Sequence, residues 1–80
     1  TDFNSYISMA TINDGTLKVT ATIGMSEIQV YDITGKLVQV ENANGELSLS
    51  KPFNHAEGFY IAKIKLDNEG IATQKLINRE

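Results

Sequence analysis

The chain has no cysteine. Neither a disulfide framework nor a thiolate metal site can therefore hold it together. No apolar run approaches the roughly 20 residues that a helix needs to cross a bilayer, and no secretory leader pattern is visible. His55 is the one histidine and Pro52 the one proline. Positive charge is scarce: 7 basic residues stand against 10 acidic ones, scattered along the chain, for a net charge of −3. No basic patch is available to neutralise phosphates, which argues against nucleic acid as a partner. Helical periodicity is missing almost everywhere.

What is present is a folded composition. The hydrophobic share of 41% is ordinary for a domain and too high for a disordered tail. The 80 residues make one domain, residues 1–80. A chain of this size buries roughly 60–65% of its unfolded surface, so modest stability is expected. It opens on Thr1 rather than methionine, and we read it as a piece excised from a longer protein.

Alternation replaces helical spacing. Leu17, Val19, Ala21 and Ile23 alternate with Lys18, Thr20 and Thr22. Leu47 and Leu49 alternate with Ser48 and Ser50, and Tyr60, Ala62, Ile64 and Leu66 with Ile61, Lys63 and Lys65. A period of two gathers each set on one side of a half-buried strand. Glycines sit between the runs in turn contexts: Asn13-Asp14-Gly15, Ile33-Thr34-Gly35, Ala43-Asn44-Gly45 and Asn68-Glu69-Gly70. Glycine reaches positive φ without a Cβ clash, as tight hairpins require. The pattern predicts strands near 5–12, 16–23, 27–32, 36–41, 46–50, 58–66 and 71–78. Pro52 cannot donate to a ladder and should end a strand. The long connection from Lys51 to Glu57 suits a crossing between sheets. Together these features predict an all-β fold, an Ig-like antiparallel β-sandwich of about seven strands.

The stretch Val30 to Val38, VYDITGKLV, tests for chemistry. A calcium loop needs several spaced oxygen ligands and a distal glutamate. Here Asp32 is the only carboxylate between Glu27 and Glu41. A phosphate cradle would need more glycines and a following helix. A three-residue hairpin loop fits better, with Asp32 opening the turn and Gly35 in the left-handed position of a bulge. His55 has no serine in a nucleophile context beside it and is read as an exposed loop residue. One histidine without cysteine makes a poor zinc set. Glu27, Glu41, Glu46 and Glu57 lie on different turns and strand ends and read as solvated surface. Tyr60 falls on the core face, where its hydroxyl needs a polar partner. Tyr31 falls on the outer face, and Tyr31 and Phe53 are the aromatic candidates for binding. No catalytic, cofactor or metal site, small-molecule substrate or enzymatic activity is expected.

These residues resemble a known family. IQVYDITGKLV is similar to the hallmark hairpin of the type A C-terminal sorting domain of the type IX secretion system. Ile28, Val30, Tyr31, Asp32, Gly35, Lys36, Leu37 and Val38 match its apolar-x-Val-Tyr/Phe-Asp strand, Gly-ending turn, basic residue and apolar pair. GTLKVTA resembles its glycine-apolar-x-Val strand. GFYIAKIKL resembles its Gly-x-Tyr-apolar-x-basic-apolar strand through Gly58, Tyr60, Ile61, Lys63 and Ile64. QKLINRE resembles its closing lysine and apolar pair through Lys75, Leu76 and Ile77. The resemblance spans nearly the whole chain, and its specificity lies in the ordered set. Glu57 stands where the family often has proline. Asn78 and Arg79 stand where it often has an apolar residue and a lysine.

The resemblance implies a secretion signal at the C-terminus of a secreted cargo protein of Bacteroidetes. The domain would fold in the periplasm and be recognised by the outer-membrane type IX translocon. A sortase-like protease would then remove it, leaving the cargo at the cell surface or outside. Val30, Tyr31, Asp32, Gly35, Lys36, Gly58 and Tyr60 would be mainly structural. Lys75, Leu76, Ile77 and Arg79, on a last strand expected at a sheet edge, would form part of the recognised surface. The plainer alternative is that Leu76 or Ile77 fills the core. Exposed strand edges also allow a homodimer. The rival class is an Ig-like or fibronectin-like accessory module, without catalysis, that binds carbohydrate or protein.

Overall fold

A computed structural model describes residues 3–79, with the backbone alone of Arg79. A 3-10 turn, Phe3–Tyr6, leads into five strands: β1 Ile7–Asn13, β2 Thr16–Asp32, β3 Leu37–Pro52, β4 Gly58–Leu66 and β5 Ile71–Arg79. They form one sheet in the order β1-β5-β4-β2-β3, and because β1 pairs with β2 as well as with β5 the sheet is closed on itself. The all-β expectation holds, but the seven-strand Ig-like sandwich does not. The fold is a five-stranded, barrel-like closed sheet, and its closing pair, β1 with β5, is parallel.

The reason lies in two long strands. The expected strands 16–23 and 27–32 are a single strand, β2, and the expected 36–41 and 46–50 are a single strand, β3. Each bends instead of breaking. The first half of β2 pairs with β1, from Ala21 opposite Ile7 to Thr16 opposite Asn13. Its second half pairs with β4, from Met25 opposite Leu66 to Asp32 opposite Tyr60. β3 follows both halves, with register shifts between Thr20 and Met25.

Gly24 marks the bend. A Cβ there would lie 2.7 Å from the Gly45 carbonyl oxygen and run into the Asp67 carboxylate. The Gly24 carbonyl accepts the Asp67 N–H at 2.9 Å. Opposite, Asn44 and Gly45 have φ of 50° and 80°, and the Asn42 side-chain oxygen accepts the Asn44 N–H at 3.1 Å. The glycine context read as a chain reversal is therefore a kink inside β3. The same bend leaves Ile23 half-buried, and Leu47 is 52% exposed while Leu49 is buried.

The core draws on every strand. Leu17, Val19, Met25, Ile28, Val30 and Ile64 are among its fully buried side chains, and Tyr60, Ala62 and Leu66 complete the inner face of β4. Period-two alternation put these residues on one side, and burial follows it. Aromatic side chains from outside the strands add to the core. Phe53, just after β3, is 2% exposed and meets Tyr60 edge-on at 5.0 Å. Phe3 lies against Gly70, where any Cβ would strike its ring. The first expected strand thus begins two residues late, because residues 3–6 form the 3-10 turn.

The hairpins differ in how they use glycine. Asp14 and Gly15, with φ of 53° and 72°, form the two-residue β1–β2 turn. In the β4–β5 turn the left-handed residue is Glu69 (φ 69°), not Gly70. Gly70 is needed instead for the Phe3 ring. Replacing Glu69 by glycine should stabilise the domain by about 0.5–1 kcal/mol, since a side chain in that conformation is disfavoured. Gly24→Ala should destabilise it by roughly 1–3 kcal/mol through overpacking at the bend. Urea unfolding of both variants measures the two shifts and their opposite signs.

Candidate functional site

The β2–β3 hairpin answers the question raised by VYDITGKLV. The Asp32 Oδ1 accepts the Thr34 hydroxyl at 2.6 Å, the Thr34 N–H at 2.9 Å and the Lys36 N–H at 3.0 Å. The Gly35 N–H donates to the Asp32 carbonyl at 3.0 Å, and the Asp32 N–H donates to the Lys36 carbonyl at 2.9 Å. Gly35 has φ 90°. This is the expected three-residue loop, and the carboxylate is engaged by the turn itself. The Thr34 hydroxyl first, then the Lys36 N–H, hold the Asp32 carboxyl below its ordinary value of 3.8. No group of three His, Cys, Asp or Glu residues converges on a metal-sized site among the described residues.

His55 is half-buried, not exposed as its loop position suggested. Its ring packs on Phe53 at 4.6 Å, and its Nε2 lies 2.9 Å from the Gln39 Oε1. The Gln39 Nε2 donates to the Glu41 Oε2 at 2.9 Å and to the Pro52 carbonyl at 3.1 Å. That orientation leaves Oε1 as the acceptor and assigns the shared proton to His55 Nε2. Tyr60, on the core face as expected, donates its hydroxyl to the Ala56 carbonyl at 2.6 Å. The buried Asn78 amide donates to the His55 and Ala56 carbonyls at 2.9 and 3.1 Å. These contacts tie the loop after β3 to the end of β5. They leave Phe53 in the core, so it drops out as a binding aromatic.

The surface that stands out is the outer face of β4 and β5 with the adjoining ends of β2 and β3. Register places Leu37, Tyr31, Ile61 and Lys75 side by side across four strands, with Phe59 beside Ile77 in the next row. Phe59, Leu37, Ile61 and Ile77 are each between 40% and 46% exposed. Ile33, at the hairpin tip nearby, is 77% exposed. Single exposed apolar residues are ordinary on a protein surface, but a contiguous group of this kind marks contact surfaces. Lysines cover part of it. The Lys75 Nζ lies 4.8 Å from the Phe59 ring centre and the Lys63 Nζ 5.2 Å from that of Tyr31. The Tyr31 hydroxyl donates to the Gln29 Oε1 at 3.1 Å. A hollow of about 240 Å³ lies between the hairpin tip and β4, lined by Tyr31, Ile33, Ile61 and Lys63 among others.

The residues expected at a recognised surface divide along β5. Lys75 and Ile77 are exposed on the outer face, whereas Leu76 is 2% exposed in the core. Leu76 is thereby removed from any contact surface of the folded domain, as the plainer alternative held. The backbone of Arg79 pairs with Asn13, and its side chain lies outside what the structure describes. Among the hairpin residues, Val30 is in the core, and Asp32, Gly35 and Lys36 build the turn. Gly58 opens β4 with φ 143°. Sequence reasoning passed over Phe59 as part of the site. Its signal was available: Phe59 and Ile61 are apolar residues on the wet face of an alternating strand.

Fold and face together define a small all-β domain whose barrel-like sheet carries an apolar outer surface fringed by lysines. Residues 3–78 match the family described as Domain of unknown function (DUF8694), and the chain belongs to that family. No curated protein matches it.

The Asp32 contacts lead to a pH prediction. A carboxyl whose folded value is depressed contributes stability that is complete above its unfolded value and is lost as pH falls through the folded one. Wild-type stability should therefore decline below about pH 4 with a share that Asp32→Asn lacks. Carboxyl chemical shifts and urea midpoints measured between pH 2 and 6 check this. Along β5, Leu76→Ala should destabilise the domain by about 2–5 kcal/mol. Ile77→Ala should change stability by only about 0.5 kcal/mol.

Proposed function

We propose that the chain is a recognition domain without catalysis, acting as a C-terminal sorting signal for export through the type IX system. The observation that carries this reading is the convergence of its motif residues. Tyr31 from the hairpin, Ile61 and Lys63 from β4, and Lys75 and Ile77 from β5 are far apart in sequence yet adjacent on one exposed face. The engagement of Asp32 within its own turn and of His55 with Gln39 supports a domain that works by contact. On this reading the translocon contacts the outer face of β4 and β5 while the domain is in the periplasm. A sortase-like protease then removes it, and the cargo reaches the cell surface or the medium.

A second reading draws on the aromatics of this face, Phe59 exposed and Tyr31 half-buried. Tyr31 and Phe59, with the hollow beside Ile61, would suit an accessory module that holds carbohydrate or protein for a neighbouring enzyme. The two readings part on the fate of a fused reporter.

A fluorescent reporter with an N-terminal export leader, fused to these 80 residues, would be expressed in a type IX-competent bacterium. It should appear outside the cell. The double variant Phe59→Ala/Ile77→Glu should hold it in the periplasm while the circular dichroism of the isolated domain stays unchanged. A wild-type fusion that stays in the periplasm sinks the sorting reading. Binding of that same domain to a polysaccharide would then favour the accessory module.

A further inference from the structure

The wall between β1 and β5 is incomplete. The two strands run parallel and pair only at Ile12 with Asn78 and Asn13 with Arg79. Toward their N-terminal ends they part, and a groove of about 720 Å³ opens between them. Ala10, Ile12 and Leu76 lie at its base, and Met9 and Ile77 form its apolar sides. At the far end the 3-10 turn bridges the gap, where Asn4 Oδ1 accepts the Thr73 N–H at 2.8 Å.

That last bond fixes the direction of the β5 backbone. The Thr73 N–H leaves β5 on the side away from β4. Backbone groups of alternate residues in a strand point the same way, so Lys75 turns its N–H and C=O toward the groove and Ile77 its N–H, while the Ile77 carbonyl is taken up by the pairing of Ile12 with Asn78. No β1 residue pairs with Lys75. A row of backbone groups at strand spacing is satisfied by another extended chain, and apolar sides supply its contact area. Charge narrows the occupant further. Lys18, beside Thr11 on the β1 side, and Lys75, on the β5 side, flank the groove, and Asp14 lies at its closed end. In a chain of net charge −3 this rim is locally positive. It favours carboxylates and disfavours lysine or arginine at the same spacing.

We propose that this groove accepts an extended segment of a partner protein as an added strand along β5. Its apolar side chains pack on Met9, Ala10 and Ile77, and its carboxylates reach Lys18 and Lys75. The partner's backbone exchanges hydrogen bonds with the Lys75 N–H and C=O and accepts the Ile77 N–H. This stands apart from the export reading: a domain that fails to carry a reporter outside can still take up such a strand.

The test uses the whole chain, labelled with ¹⁵N, and two blocked synthetic hexapeptides. One alternates glutamate with valine and the other lysine with valine. The glutamate peptide should shift the Lys75 and Ile77 amides and, at saturation, slow their hydrogen exchange about tenfold, the factor that about 1.4 kcal/mol of added hydrogen bonding gives. The lysine peptide should leave them unmoved. Lys18→Glu/Lys75→Glu, which alters no core residue, should reverse the preference. Three results overturn the proposal. One is no amide shift with either peptide at millimolar concentration. Another is an equal response to both. The third is shifts confined to Tyr31, Phe59 and Ile61, which would place the peptide on the open sheet face and not at the strand edge.

Discussion

The close approach of β2 and β3 at Gly24 and Gly45 is the constraint on which the architecture depends. Two strands of 17 and 16 residues are too long to lie flat on one small core. They must turn together, and the turn requires backbone to touch backbone. Gly24 removes the side chain that would block it, and Gly45 together with Asn44 supplies the left-handed geometry on the other strand. The Asp67 N–H bonded to the Gly24 carbonyl joins the β4–β5 hairpin to the same point. One corner thereby sets where β1 leaves β2, where β4 takes over and how the sheet curves back on itself.

That corner also determines what the surface can do. Once β2 has passed to β4, its odd-numbered residues Gln29 and Tyr31 face outward beside Lys63 and Ile61. The inner residues Ile28 and Val30 are fully buried. The core is therefore filled from one side of each strand, and the apolar residues left over gather on the other. Among the described residues no buried side-chain polar atom lacks a partner. The polar groups that penetrate inward, Asn78, Gln39 and the Tyr60 hydroxyl, are occupied in fastening the loop after β3. Specific hydrogen bonding of this kind gives a small core one arrangement where apolar contact alone would permit several.

Much of the fold was legible because a period of two is a local signal. The β4 set from Tyr60 to Leu66, the Asp32 turn and the end of β3 at Pro52 followed from neighbouring residues alone. The bends did not. Asn44-Gly45 has the composition of a chain reversal, and only the presence of Gly24 opposite it makes it a kink. Nor could alternation show that β5 would find β1 in parallel, since that pairing depends on closure of the whole sheet. The position of Leu76 illustrates the same limit. QKLINRE contains two adjacent apolar residues, one facing each way, and choosing between them requires the register with β4. Phe59 and Ile61 were visible as apolar residues, but their meaning as a surface appears only when Tyr31 and Ile77 are brought alongside.

The contact that closes the sheet, Ile12 with Asn78, joins segments from opposite ends of the chain. Contacts at such separation carry the largest loop-closure entropy and tend to form late. Here only two residue positions on each strand make that seam. The 3-10 turn reinforces it, through the Asn4 side chain on the Thr73 N–H and the Phe3 ring against Gly70, so parting β1 from β5 means breaking side-chain contacts as well as ladder bonds. The narrowest wall of the closed sheet is thus the one that joins the two ends of the chain, and its strength is shared between two ladder positions and the turn that precedes β1.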